Sequence, residues 1–161
     1  SEIFEFTTTD RLTTFSFQDR IIMVYPTSYH YQYPDSLTGY TQLSPSGAIS
    51  WTDGYSNTQA LMADFETYPL DGFHINAKYC DDLNAYGYSD WYLPAIEELD
   101  SVLRKHVWLY SFEKKYWSST EVPTYPIFAY FIDYANPEDT ILTYQTQNKL
   151  HADYCICIRS E

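Results

Sequence analysis

Short alternations of apolar and polar residues open the chain. Ile3-Phe4-Glu5-Phe6 and Phe15-Ser16-Phe17 repeat with a period of two, which predicts strands. Ile21 to Tyr25 is apolar enough for a buried strand, stopped by Pro26. In Tyr29-His30-Tyr31-Gln32-Tyr33, closed by Pro34, a strand places three Tyr on one face and His30 and Gln32 on the other. Gly39, Gly47 and Gly54 punctuate the loops that follow.

The period changes in residues 58–106. From Phe73, the positions Ala77, Cys80 and Leu83 or Asn84 share one face of a 3.6-residue repeat, with Gly87 as the stop. A second helix follows Pro94, which suits a first helical turn because its missing N–H costs nothing there. Glu97 and Glu98 stand near the positive end of the helix dipole, and Arg104, Lys105 and His106 near the negative end. Ile96, Leu99 and Leu103 form its buried stripe. Strand character returns at Tyr116-Trp117, Phe128 to Tyr134, Ile141 to Tyr144 and Tyr154 to Ile158. No glycine follows Gly87, so the late turns rest on Asn136-Pro137, Asn148 and similar residues. Strands, two helices, then strands predict an α+β class rather than alternating α/β.

Composition narrows the function classes. The chain has 161 residues, enough for a single domain over 1–161. It holds 27 Leu, Ile and Val against 31 aromatics, 18 of them Tyr. Tyr joins an apolar ring to a polar tip and suits surfaces that must both pack and bind. The net charge of −13 repels a phosphate backbone and an anionic bilayer, so neither nucleic acid nor membrane insertion is expected. The longest apolar run, Ile127 to Ile132, is far short of the roughly 20 residues of a spanning helix. No basic-then-apolar signal segment opens the chain; the expectation is a mature or trimmed chain, or one not exported by that route.

Candidate chemistry is sparse. His30, His74, His106 and His151 share no metal-ligand spacing, and no metal site is expected. Glu97 and Glu98 are adjacent on a helix and point apart, which does not make a glycosidase pair. Ser118 and Ser119 lack a G-x-S-x-G elbow. Three cysteines give no framework by count: they are either three buried thiols or one bridge from Cys80 to Cys155 or Cys157.

From Tyr86-Gly87-Tyr88-Ser89-Asp90-Trp91-Tyr92-Leu93-Pro94 to Glu98-Leu99, the chain resembles the C-terminal domain family of the Legionella collagen-like proteins. The likeness continues through Ala77-Lys78-Tyr79-Cys80, Tyr116-Trp117-Ser118-Ser119-Thr120, Ala129 to Tyr134, Lys149 and Cys155-Ile156-Cys157-Ile158-Arg159. It covers residues 58–161 and leaves 1–57 as a strand-rich addition. Tyr92 and Ala95 depart from the family's Arg and Thr, and residues 135–148 are long and glycine-free. The family is similar to the C-type lectin fold, in the branch of the formylglycine-generating enzyme. That fold also carries the variable proteins of diversity-generating retroelements. The resemblance implies two helices with small antiparallel sheets, and a Cys80–Cys157 disulfide if the protein lives outside the cell. It also implies no enzymatic activity, and recognition of a protein or glycan receptor at a phage tip, virion or cell surface.

On that reading, Trp91 and Trp117 are core anchors, and the hydroxyls of Ser118, Ser119 and Thr120 satisfy irregular backbone. Asp90 is placed to accept backbone N–H groups before the second helix. The ligand-binding surface is expected at Thr124, Tyr125, Phe131, Asp133, Tyr144, Thr146 and Asn148, with the segments 122–126 and 142–146 as contact loops. Phe131 and Asp133 face away from the framework residues Tyr130, Ile132 and Tyr134; the alternative is that a neighbouring loop covers Phe131. No cofactor is expected. A Ca²⁺-dependent lectin built on Asn136-Pro137-Glu138 is one alternative. A sulfatase-activating type of enzyme and a structural module of a fibre or pilus are the others.

Overall fold

The computed structural model describes residues 12–30, 45–67, 74–105, 114–134, 144–149 and 153–161. The expected features at residues 3–6, 31–34, Gly39, Phe73, His106, 136–143 and His151 lie outside them. The class is α+β, with three helices and two sheets among the described residues. Strands β1 (Thr13–Phe17) and β2 (Arg20–Val24) form a hairpin, and β3 is Tyr29–His30. The helices are α1 (Gly54–Thr67), α2 (Ile75–Asp81) and α3 (Ile96–Lys105). Then come β4 (Lys114–Val122), β5 (Tyr125–Tyr134), β6 (Tyr144–Asn148), β7 (Tyr154–Cys155) and β8 (Ile158–Ser160).

The smaller sheet has the order β1-β2-β8, so strands from the two ends of the described chain pair, Ile22 with Ser160 and Val24 with Ile158. The larger sheet runs β3-β7-β4-β5-β6, antiparallel except for the β4–β7 pairing at Tyr116 and Tyr154. Between them lies the main core: Ile22 and Val24 from β2, Ile96, Leu99, Val102 and Leu103 from α3, Tyr116 and Ile132 from the larger sheet, and Ile158 from β8. Each aliphatic side chain so buried contributes about 1.5–3 kcal/mol.

A second cluster surrounds the sulfurs. Cys80 of α2 is bridged to Cys157, Cα to Cα 5.4 Å, while Cys155 is a buried free thiol. Trp91 packs there, edge-on to Tyr25 at 5.5 Å, and its indole N–H donates to the carbonyls of Tyr88 and Ala85. Trp117 is buried too, in a small cluster with Ala129 and Phe131.

Several sequence expectations change. There is a third helix, α1, that the apolar period did not mark, and it crosses the boundary expected near residue 57. Helix α2 ends at Asp81, well before Gly87. Gly87 instead shares a two-residue turn with Tyr86, both at positive φ (81° and 57°), closed by reciprocal backbone bonds between Ala85 and Tyr88. That mirror-image turn favours glycine, which meets no Cβ penalty at positive φ. Asp90 does not bond the turn before α3. Its carboxylate grips the Arg159 guanidinium at 2.7 and 3.0 Å, and that bond holds the acid below the usual carboxylate range. The Ala95 N–H at the start of α3 is met by Glu98, whose carboxylate accepts it at 2.9 Å in the reciprocal half of a capping box.

Leu99 is fully buried on the inner face of α3. Leu99→Ala should therefore cost about 2–5 kcal/mol in urea unfolding, the range of a core cavity. A loss under about 0.5 kcal/mol, typical of surface changes, would show that α3 is not packed this way.

Candidate functional site

Of the expected contact segments, Val122, Tyr125 and Pro126 lie in strands, as do residues 144–146, while 142 and 143 lie outside the described residues. Val122 pairs with Tyr125, so Pro123 and Thr124 alone form the turn of the β4–β5 hairpin. Neither corner is at positive φ, so the turn is not of the mirror-image kind and proline suits its first corner. In β6, Tyr144 lies opposite Ile132, Thr146 opposite Tyr130, and Asn148 opposite Phe128. Directly paired residues share a face, so Tyr144, Thr146 and Asn148 stand with Phe128 and Tyr130. Register shifts in β4–β5 break the alternation near the hairpin end. Tyr125 there packs edge-on against Phe128, centroids 6.4 Å apart.

Phe131 departs from expectation. It lies directly opposite Trp117 on the other face, is 3% exposed, and meets that indole edge-on at 5.9 Å. The Lys115 ammonium sits 5.5 Å from its ring centroid. Asp133, paired with Lys115, follows Phe131 to that face and is half-buried. The expected set thus divides: Tyr125, Tyr144, Thr146 and Asn148 share one face, Thr124 is exposed at the tip, and Phe131 and Asp133 lie behind the sheet.

The shared face gains a residue that sequence reasoning missed. Trp51, 41% exposed, reaches over the sheet from the segment before α1. Its ring meets Tyr130 at 5.2 Å and Tyr144 at 5.8 Å, both edge-on. The Tyr144 hydroxyl donates to Asp100 of α3 at 2.9 Å, and burial and that carboxylate push the phenol up. Beyond Tyr130, the side chains of Val122, Tyr125, Phe128 and Thr146 line a shallow concavity of about 270 Å³. Tyr125 is 64% exposed. A strip of five rings therefore runs from Tyr144 through Trp51, Tyr130 and Phe128 to Tyr125, with short polar side chains among them.

Trp51 is held from behind. Its carbonyl accepts the Glu97 N–H at 3.0 Å, and Ser50 bonds Asn57 of α1 through both backbone groups. The Thr120 hydroxyl donates to the Ser50 carbonyl at 2.9 Å and accepts the Ile96 N–H at 3.0 Å. A large aromatic among polar residues, two positions before the cap residue Asp53, was the available signal.

No family model, no curated protein and no solved structure matches this chain.

The opposite face carries a buried polar cluster at the meeting of α1, the start of α2, β4 and Lys149. The Lys149 ammonium, 5% exposed, pairs with the Glu121 carboxylate, 1% exposed. Glu121 also accepts the Ser46 N–H at 3.1 Å. Burial pushes the Lys149 amine down, and the charges of Glu121 and Asp64 oppose it. His74 Nε2 lies 2.6 Å from Asp64 Oδ2. A small cleft opens here between Leu61, Leu93 and Trp117, with His74, Asn76 and Lys149 on its walls. Ser118 and Ser119 also border it, but Ser118 Oγ donates to the Tyr130 carbonyl and Ser119 Oγ accepts from Asn57. Neither is arranged as a nucleophile beside a base. Among the described residues, no group of three or more His, Cys, Asp or Glu is placed to hold a metal ion, and no helix is long and apolar enough to cross a membrane.

Breaking the Lys149–Glu121 pair from one side leaves a buried charge. Lys149→Met should cost about 3–5 kcal/mol. Adding Glu121→Gln, which removes the charge and keeps an acceptor for Ser46, should recover most of it in chemical denaturation. A Lys149→Met variant as stable as the parent would mean that the pair is solvated.

Proposed function

We propose that this chain is a non-catalytic recognition domain, with the aromatic strip on β5, β6 and the Trp51 segment as its contact surface. The observation that carries this reading is that Trp51 and Tyr125 stay exposed on a rigid, bonded frame, with the half-buried rings of Tyr144, Tyr130 and Phe128 between them. Tyr and Trp give much contact area for little lost side-chain freedom, and Thr124, Thr146 and Asn148 supply hydrogen-bonding groups beside them. An exposed apolar strip costs solubility unless it meets a partner. The partner is a protein or glycan receptor, and the acid excess of the chain favours a neutral or basic one.

The C-type-lectin-like fold and the likeness to retroelement-variable proteins belong to the same proposal. The α+β class, the short helices and the small antiparallel sheets are compatible with it. So is the gathering of Tyr125, Tyr144 and Thr146 on one side. Display at a phage tip, virion or cell surface follows from that likeness, and the bridged Cys80–Cys157 pair suits an oxidising location.

Tyr125 and Thr146 are exposed and carry little of the core, whereas Tyr144 is tied to Asp100. A Tyr125→Ala, Thr146→Glu double variant should melt within about 2 °C of the parent, as surface changes do. It should lose the binding that the parent shows on arrays of glycans and surface-protein ectodomains. Retained binding by the folded variant would move the contact surface elsewhere.

A further inference from the structure

The larger sheet ends on β6, and that edge is open. The Lys149 N–H donates to the Ile127 carbonyl at 2.9 Å, in line with the register of β5 and β6. In an antiparallel ladder, alternate residues bond the partner strand. Lys149, Gln147 and Gln145 therefore turn their backbone groups to β5, and Tyr144 and Thr146 turn theirs outward. Among the described residues, the N–H and carbonyl of Tyr144 and of Thr146 meet no partner. Gln145 and Thr146 are exposed. Sheet edges are normally protected by charge, proline, a bulge or shortness. Strand β6 reads Tyr-Gln-Thr-Gln-Asn, without charge or proline, and its register with β5 is unbroken. The other edge of this sheet, β3, is two residues long, and on β1 the Lys105 ammonium reaches the Ser16 carbonyl at 3.5 Å.

What flanks the edge defines its occupant. Donor and acceptor pairs that recur every second residue match another main chain, whereas sugar hydroxyls have no such repeat. On the front face, Thr146 lines the apolar concavity with Val122, Tyr125 and Phe128. Around Tyr144 the surface is acidic. The Asp100 carboxylate, which accepts the phenol, is shared with Arg104. Glu97 lies within electrostatic reach of the same phenol and has no ion pair among the described residues.

We propose that β6 accepts an extended segment of a partner protein as an added antiparallel strand, with an apolar residue opposite Thr146 and a basic residue, two positions later, opposite Tyr144. Both residues exchange backbone hydrogen bonds with β6, and both side chains point to the front. The apolar one lies beside the concavity, and the basic one lies toward Glu97. The proposal rests on the strip being the contact surface, and it narrows the partner from a protein or glycan to a peptide chain.

The test is an NMR titration of the isotope-labelled full chain with a capped hexapeptide, Thr-Thr-Val-Thr-Lys-Thr. The control is the same peptide N-methylated at Val and Lys, which keeps every side chain and removes the two N–H groups that face β6. The amide signals of Tyr144 and Thr146 should shift saturably, and the N-methylated peptide should bind at least about tenfold more weakly, the effect of two lost backbone bonds. Glu in place of the peptide's Lys should weaken binding, and Glu97→Gln should narrow that gap. Thr146→Pro removes an N–H that β5 does not use, so it should end peptide binding while the β5–β6 amides stay protected. If that variant does not fold, the N-methylated peptide decides. Equal binding of the two peptides, with shifts only around Tyr125 and Phe128, would overturn the added strand and leave the strip as the contact surface. Absence of any saturable shift would overturn the added strand as well, and the strip would still stand or fall on the array measurement. Dimerisation of the chain through β6 without peptide would overturn it in favour of a second copy.

Discussion

The carboxylate of Glu98 is fully buried, and four groups from three parts of the chain converge on it. It accepts the backbone N–H of Gly54 and of Ala95, both at 2.9 Å, and the Tyr92 hydroxyl at 3.2 Å, and it pairs with Arg20 of β2 at 2.9 Å. Burial pushes the acid up; the Ala95 N–H, the Arg20 charge and the Gly54 N–H pull against it. A buried carboxylate is tolerated only with such partners, so these segments cannot separate without stranding it. The site leaves no room for variation at Gly54. A Cβ there would lie 2.5 Å from the Glu98 carboxylate and 2.6 Å from the Ala95 nitrogen and the Leu93 carbonyl. The starts of α1 and α3 are thereby fixed against each other.

The Ser118-Ser119-Thr120 stretch extends that junction to the larger sheet. Trp117 pairs with Phe131 and Glu121 with Ala129, so β4 carries extra residues between these points. The bulged backbone finds partners outside the sheet: Ser119 N–H donates to the Pro94 carbonyl and Glu121 N–H to the Ala48 carbonyl, both at 2.8 Å. Thr120 bonds the Ser50 carbonyl and the Ile96 N–H. The segment that carries Trp51 is pinned between the bulge and the two helix starts. Its ring is held over Tyr130 and Tyr144 by scaffold bonds, and the aromatic strip is built before any partner arrives. Such preorganisation reduces the ordering cost of binding.

The parts legible in the sequence were those whose buried faces are apolar. Ile96, Leu99 and Leu103 marked α3, and the alternation at Phe15-Ser16-Phe17 and the apolar run from Ile21 to Tyr25 marked two strands, whose pairing as a hairpin was not read. Helix α1 was invisible for a physical reason. Its buried face reads Gly54, Asn57, Thr58, Leu61 and Met62, polar through the first two turns. Those residues are inside because they bond rather than because they are greasy. Asn57 reaches Ser50 and Ser119, and Thr58 exchanges bonds with the backbone of Leu93. Asp53, whose carboxylate accepts the Ser56 N–H at 3.0 Å, was the remaining sign of a helix start. For the candidate surface, the strand period put Phe131 and Asp133 on the face away from Ile132. Which part stays open was decided by what covers it: Trp117 lies beside Phe131 behind, the main core buries Ile132 in front, and the front opens only toward Thr146 and Tyr125. The hairpin register, which swings Tyr125 to the front, rests on bulges that no period of two contains.

If the Glu98 node and the serine-threonine bulge organise the front of the molecule, their amides are as inaccessible as the core. Native-state hydrogen exchange at Gly54, Ala95, Ser119 and Glu121 tests this directly. Protection equal to that of the central β4–β5 amides, lost only with global unfolding, is the result expected. Rapid exchange at these four positions while β4 and β5 stay protected would mean that the Trp51 segment is a loose loop, and that the aromatic strip is not preassembled.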